Sequence, residues 1–246
     1  MDVKGALFAL ADLLMIFAGF TYGWKFIRHY KNYLLGLEWI IVATSGVNFL
    51  IYGMLRLSQD STSFHVAIFF DAFSRSVGIT LILVLGLMAV THGYKPSRAV
   101  DIGVFALAGV VGLGLTFYAL RTASPETHHI GLAGAVFLVA VNVLTSIFLL
   151  YFAGRLWRVG ERGHAARVVV VTAMGAVIAA TYDFYQVPGD DVNRTMFYTA
   201  ALTTWGLQLI VYYYGYRALH DHIQRTNAPS TAVGVPANLH RNREIG

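Results

Sequence analysis

Cysteine is absent from the 246 residues, which excludes disulfides, thiolate-bound metals and cysteine nucleophiles at once. Charge is scarce too: Asp, Glu, Lys and Arg make up 13% of the chain, about half the roughly 25% of an ordinary soluble domain. No nucleotide-binding glycine loop, HExxH or GxSxG pattern occurs, so the usual marks of phosphate binding, zinc hydrolysis and serine catalysis are missing. An enzyme is therefore the least supported class.

What the chain has in abundance is apolar length. Hydrophobic residues are 57% of it, and seven stretches reach the ~20 residues needed to cross a ~30 Å hydrocarbon core. They fall at about 5–24, 33–56, 64–91, 99–120, 129–153, 165–187 and 194–217. The expected fold is an all-α integral membrane protein of seven transmembrane helices, one domain over residues 1–223. The first stretch lacks the basic start and small-residue cleavage pattern of a secretory signal, so it is read as a retained span. Residues 224–246 mix Pro, Ser, Asn, Gly and Arg with little to bury, and are expected to form a disordered cytoplasmic tail.

Orientation follows from Lys and Arg, which stay cytoplasmic beside membrane segments. Thirteen of the 18 basic residues fall between spans one and two, three and four, five and six, or after span seven. Only Lys4, Arg56, Arg121 and Arg194 lie at the other ends, and Arg75 lies within a span. The N-terminus is expected outside and the C-terminus inside, in a multi-pass protein of the cell membrane. Its first partner is the lipid bilayer, whose anionic inner leaflet suits the net charge of +5. No nucleic-acid partner is expected, and a second copy of the chain is a further candidate partner.

Local signals place several boundaries. Ser124, Pro125 and Glu126 have the order of an N-cap and first turn opening span five. Ser97 is a candidate cap for span four, with Asp101 a helix-start acid. Pro188 and Gly189 form a turn signal that makes spans six and seven antiparallel neighbours. "FAGFTYGW" ending the first span echoes "FAGRLW" ending the fifth, and "IYGMLRLSQD" echoes "TYDFYQVPGDD". Such echoes suggest a 3+1+3 parallel repeat.

Against this apolar background the buried polar residues carry the information. At 1.5 Å per residue from Phe64, Asp71 lies roughly 10 Å and Arg75 roughly 16 Å into span three. An acid or a base so deep costs about 2.5–3.5 kcal/mol on insertion scales. Their i, i+4 spacing puts both on one face, where they can neutralise each other. Asp12 of span one and Asp183 of span six join them in the outer half, with Asn142 of span five and Gln208 of span seven deeper. These six residues are the candidate substrate- or ion-binding set, lining an outward-facing polar cavity. Glu38, near the cytoplasmic end of span two, is a candidate for a proton route or a salt-bridge partner of the Lys25–Lys31 loop. Asn48 has the look of a helix-bridging amide, and the tyrosines and tryptophans near span ends match an aromatic belt.

No cofactor and no metal site are expected. The histidines sit at or beyond span ends, so no mid-membrane axial pair is available for haem. His220, Asp221 and His222 offer an incomplete set of zinc ligands. A retinal Schiff base would need a lysine in span seven, and "TAALTTWGLQL" has none. The leading expectation is a transporter or channel for an ion or small solute, built on the Asp71–Arg75 pair. The alternative is a seven-helix ligand receptor, sensor or interaction protein that signals through a separate cytoplasmic partner.

Overall fold

The computed structural model describes residues 3–55, 58, 61–94, 96–122, 130–191 and 194–227. Among them the chain forms seven long helices and no strand. They are α1 (Val3–Tyr30), α2 (Tyr33–Met54), α3 (Thr62–Thr91), α4 (Arg98–Thr122), α5 (Leu132–Arg158), α6 (Arg162–Thr181) and α7 (Thr195–Asn227). The first six are long and apolar enough to cross a membrane, the signature of a helical membrane protein. The seventh, at 33 residues, spans about 50 Å. It is interrupted by threonines, tyrosines and Gln208, and it packs against α1, α3, α5 and α6, where neighbours shield polar groups from lipid.

Six helices form a ring in the order α1, α2, α3, α5, α6, α7, while α4 lies outside it against α3. The inner member is α3, 67% buried over its most apolar stretch against 44% or less for the other five spans. Small residues let α1 and α2 approach closely. A Cβ on Gly19 would stand 2.6 Å from the Trp39 carbonyl oxygen, and one on Gly23 would stand 2.8 Å from that of Gly36. This is the small-xxx-small packing common between membrane helices. At the bundle end where α1 turns into α2, the Asn32 side chain accepts from Leu35 N at 3.2 Å and so caps α2. Its amide donates to Gly86 O at 2.8 Å, tying that turn to α3.

Two helices depart from α geometry. The last turn of α1 (Phe26–Tyr30) and the middle of α3 (Ser74–Ile82) are π-helical. Wide turns of this kind are rare and cluster at functional sites. In α3 the stretch is accompanied by hydroxyls bonded back to the preceding turn, Ser76 Oγ to Ala72 O at 2.6 Å and Thr80 Oγ1 to Ser76 O, a pattern that bends helices.

Several boundaries differ from expectation. Span six was expected to reach residue 187, but α6 stops at Thr181, so Asp183 lies in the turn beyond the helix. Span seven was expected to end at 217, but α7 runs to Asn227 and takes in residues 224–227 of the expected tail. Residues 228–246 lie outside the described residues, as do Ser124, Pro125 and Glu126. The 188–189 turn forms with Gly189 at φ 79°, and the Asp190 carboxylate beyond it accepts from Met196 N at 2.9 Å and Phe197 N at 3.0 Å. That cap turns α7 back alongside α6. Ser97 Oγ accepts from Val100 N at 3.4 Å at the start of α4.

Candidate functional site

The π-helical stretch of α3 opens with Ser74 and Arg75, directly after the α-helical turn that carries Asp71. Arg75 Nη1 donates to Asp71 Oδ2 at 3.1 Å, the one-turn pair expected from the spacing. Nη2 donates to Asp183 Oδ2 in a close contact, which draws the turn after α6 onto α3. The Tyr182 ring covers the guanidinium, with Arg75 Cζ 3.7 Å from its centroid, and its hydroxyl donates to Asp71 Oδ1 at 3.0 Å. Arg75 is 8% exposed. One base thus holds two acids under an aromatic lid, and the cluster carries a net charge of −1 with all three groups ionised.

Below the cluster lies a cavity of about 40 Å³ between α3, α5, α6 and α7. At about 10–15 Å³ per water on this measure, it holds about three waters. Arg75, Asn142, Thr172, Trp205, Gln208 and Tyr212 are among its walls. Asn142 Nδ2 donates to the Arg75 carbonyl at 3.3 Å and to Leu138 O at 2.8 Å. Gln208 Nε2 donates to Val171 O at 3.0 Å, and the Thr172 and Tyr212 hydroxyls are 3.1 Å apart.

No family model, curated protein or solved structure matches this chain. The site is therefore characterised by its own residues. Of the six expected members, Asp71, Arg75 and Asp183 form the cluster, and Asn142 and Gln208 line the cavity with Arg75. Asp12 does not join them. It is fully buried against Gly46 of α2, whose added Cβ would stand 2.8 Å from Asp12 Oδ1, and neither of its oxygens has a hydrogen-bond partner among the described residues. Glu38 makes no ion pair with the Lys25–Lys31 loop. Its carboxyl is buried against Gly78 in the π-helical stretch of α3, and both oxygens lack hydrogen-bond partners among the described residues.

Other polar residues have structural roles. Asn48 bridges α2 to α3, donating to Ser63 O and accepting from Ser63 Oγ, both at 3.0 Å. Thr203 and Thr204 bond back within α7, while Trp205 reaches the cavity. Among the described residues no group of three His, Asp or Glu side chains is placed to hold a metal. His220 stacks on Tyr216, and His128 and His129 lie outside the described residues.

Two site residues escaped sequence reasoning. Tyr182 was grouped with the interfacial aromatic belt, yet it lids the cluster; its position beside Asp183 was the available signal. Arg194 was counted only among the few basic residues at the outer ends of spans, but it is 4% exposed. It donates to Tyr185 O at 3.1 Å, and its Cζ lies 4.3 Å from the Phe197 ring centroid and 5.7 Å from that of Tyr182. Helix spacing gave no signal for Arg194, because it precedes α7 with φ 56° and the helix begins only at Thr195.

Proposed function

We propose that this chain is a multi-pass transporter or channel of the cell membrane that moves a small cation or protons through the cavity beneath Arg75. The observation that carries this reading is the triad of Asp71, Arg75 and Asp183, with Arg75 and Asp183 buried, roofing a space shared by four helices and lined in part by polar side chains. Charges at such depth are costly and, in membrane proteins, mark ion and proton paths. The cluster's sign and saturation favour a cation. Both ends of the guanidinium are engaged by carboxylates and one face by Tyr182, so little of Arg75 is left for an anion, while with both acids ionised the surplus charge is negative. The cavity's size favours transport over reception, since room for about three waters admits a proton on a water chain or a largely dehydrated cation but no sizeable organic ligand.

In this reading the outer end of the bundle holds Asp71, Tyr182 and Asp183, and the basic ends of α1, α3, α5 and α7 face the cytoplasm with the C-terminus. The ring of α1–α3 and α5–α7, with α4 outside, suits a 3+1+3 repeat.

Purified protein in liposomes tests the proposal, with proton and alkali-cation fluxes followed across an imposed gradient. Wild type is expected to pass at least one of these ions. Asp71→Asn, which keeps the shape of the site, and Ser146→Leu, which fills the cavity from α5, are both expected to abolish that flux in folded protein. Flux that survives both substitutions would remove the cavity and the triad from the path.

A further inference from the structure

We propose that Glu38 is an exchangeable proton site, seated on Gly78 of the α3 π-helical stretch that also carries Arg75. The inference rests on the transport reading only for what the proton is coupled to; the site itself stands on its own geometry.

Glu38 is fully buried, and neither carboxyl oxygen has a hydrogen-bond partner among the described residues. A carboxylate in such surroundings takes up a proton rather than remain charged. The seat is specific. A Cβ on Gly78 would collide with Glu38 Oε1 and stand 3.0 Å from Oε2, so glycine alone lets the carboxyl lie against the helix backbone. One turn to either side on α2, Leu34 and Ile41 pack in an apolar cluster with Val77 and Ile82 of α3 and Ala108 of α4.

The ionisable groups around this seat are few. On α3 the nearest is Arg75, whose guanidinium is held by Asp71 and Asp183. On α4, Asp101 lies seven residues before Ala108, about 10 Å along the helix. On α1, the close approach to α2 is made by Gly19 and Gly23, and Tyr22 turns to Tyr213 and Tyr214 of α7. On α7, the Tyr212 hydroxyl meets Thr172. Among the described residues no fixed cation therefore holds Glu38 ionised, and a charge that appears there must be answered by movement or water.

Water reaches the seat only when α3 moves. A second void of about 10 Å³ is lined by Trp39 and Ile79, the residues next to Glu38 and Gly78, and by Val42 and Leu83; its walls are almost wholly apolar and Glu38 is not among them, so at rest it stays dry. It shares Ile79, Trp205, Gln208 and Tyr212 with the main cavity. When a shift of the wide turns at Gly78 admits water to the seat, the Glu38 O–H proton passes to that water, leaving a carboxylate and a hydronium, and the reverse transfer restores the acid. The intervening π-helical stretch also carries Arg75, three residues from Gly78, so a shift at one end moves the other.

Infrared difference spectra of the full chain in liposomes, wild type against Glu38→Gln and Gly78→Ala, test this without reference to transport. The expected result is a protonated-carboxyl C=O band at neutral pH that Glu38→Gln removes and that disappears as pH rises. Gly78→Ala is expected to move the band and shift its midpoint by about one pH unit, a tenfold change in proton affinity. If Glu38→Gln does not fold, the Gly78→Ala comparison still reads the band. Absence of the band at every pH, or a band that never titrates, overturns the proposal. A titrating Glu38 in a protein that passes no ion would sink the transport reading and keep this one; ion flux with a non-titrating Glu38 would do the reverse.

Discussion

Removing the Arg75 charge is the sharpest perturbation of the triad. In Arg75→Gln, Asp183 loses its only ion-pair partner among the described residues while its side chain stays 5% exposed, whereas Asp71, at 35% exposed, keeps the Tyr182 hydroxyl. Breaking a buried pair by deleting one member typically costs about 3–5 kcal/mol, and the difference in exposure assigns most of that loss to Asp183. Asp71→Asn alone should cost about 1 kcal/mol or less, because solvent already screens that pair. The triple substitution Arg75→Gln, Asp71→Asn, Asp183→Asn leaves no unpaired charge and should recover most of what Arg75→Gln loses. Equilibrium unfolding in mixed micelles by added dodecyl sulfate, followed by helix content, measures all three. The reasoning is refuted if Arg75→Gln unfolds within about 0.5 kcal/mol of wild type, the scatter of a surface substitution, or if the triple variant is no more stable than the single one.

The same assay reads four further substitutions. Gly19→Leu would drive a side chain into the Trp39 carbonyl and should cost about 1–3 kcal/mol, the range for overpacking; Gly114→Leu, where an added Cβ meets nothing within 4 Å, is the control expected to cost nothing. Asp190→Ala removes the carboxylate that accepts from Met196 N and Phe197 N and should lose about 1 kcal/mol, with faster amide exchange confined to the first turn of α7. Tyr182→Phe keeps the ring over Arg75 but deletes the hydroxyl on Asp71, and should cost about 1 kcal/mol, below the 1.5–3 kcal/mol of a buried charged hydrogen bond because Asp71 is partly solvated. Unchanged stability in Tyr182→Phe would mean that the hydroxyl contributes nothing to the cluster.

Much of the core of the site was legible because helix geometry alone dictates it. Asp71 and Arg75 had to share a face at i, i+4, and their depth in an apolar run demanded a partner or a cavity. The turn at 188–189 was legible for a similar reason, since Pro and Gly fix the local backbone whatever surrounds them. Asn142 and Gln208 could be grouped with Arg75 because rise per residue is nearly constant, and both line the cavity with it.

What spacing does not disclose is which helix each face meets. Asp12 has a depth comparable with that of Asp71, yet α1 turns it toward α2, where the lack of a side chain at Gly46 leaves room for its carboxyl. Asp183 reached Arg75 only because α6 ends at Thr181 and the chain folds back over α3, a tertiary choice invisible to hydropathy. The wide turns of α3 defeat periodicity more deeply. A pattern read at 3.6 residues per turn misplaces every face beyond Ser74, so nothing in the sequence showed that Gly78 would present a bare backbone to Glu38. The residues whose neighbours could not be foretold are thus those next to a glycine contact, an early helix end or a π-helical turn. In each, a side chain that ordinary helix packing would exclude is admitted, and it is there that the bundle buries its acids.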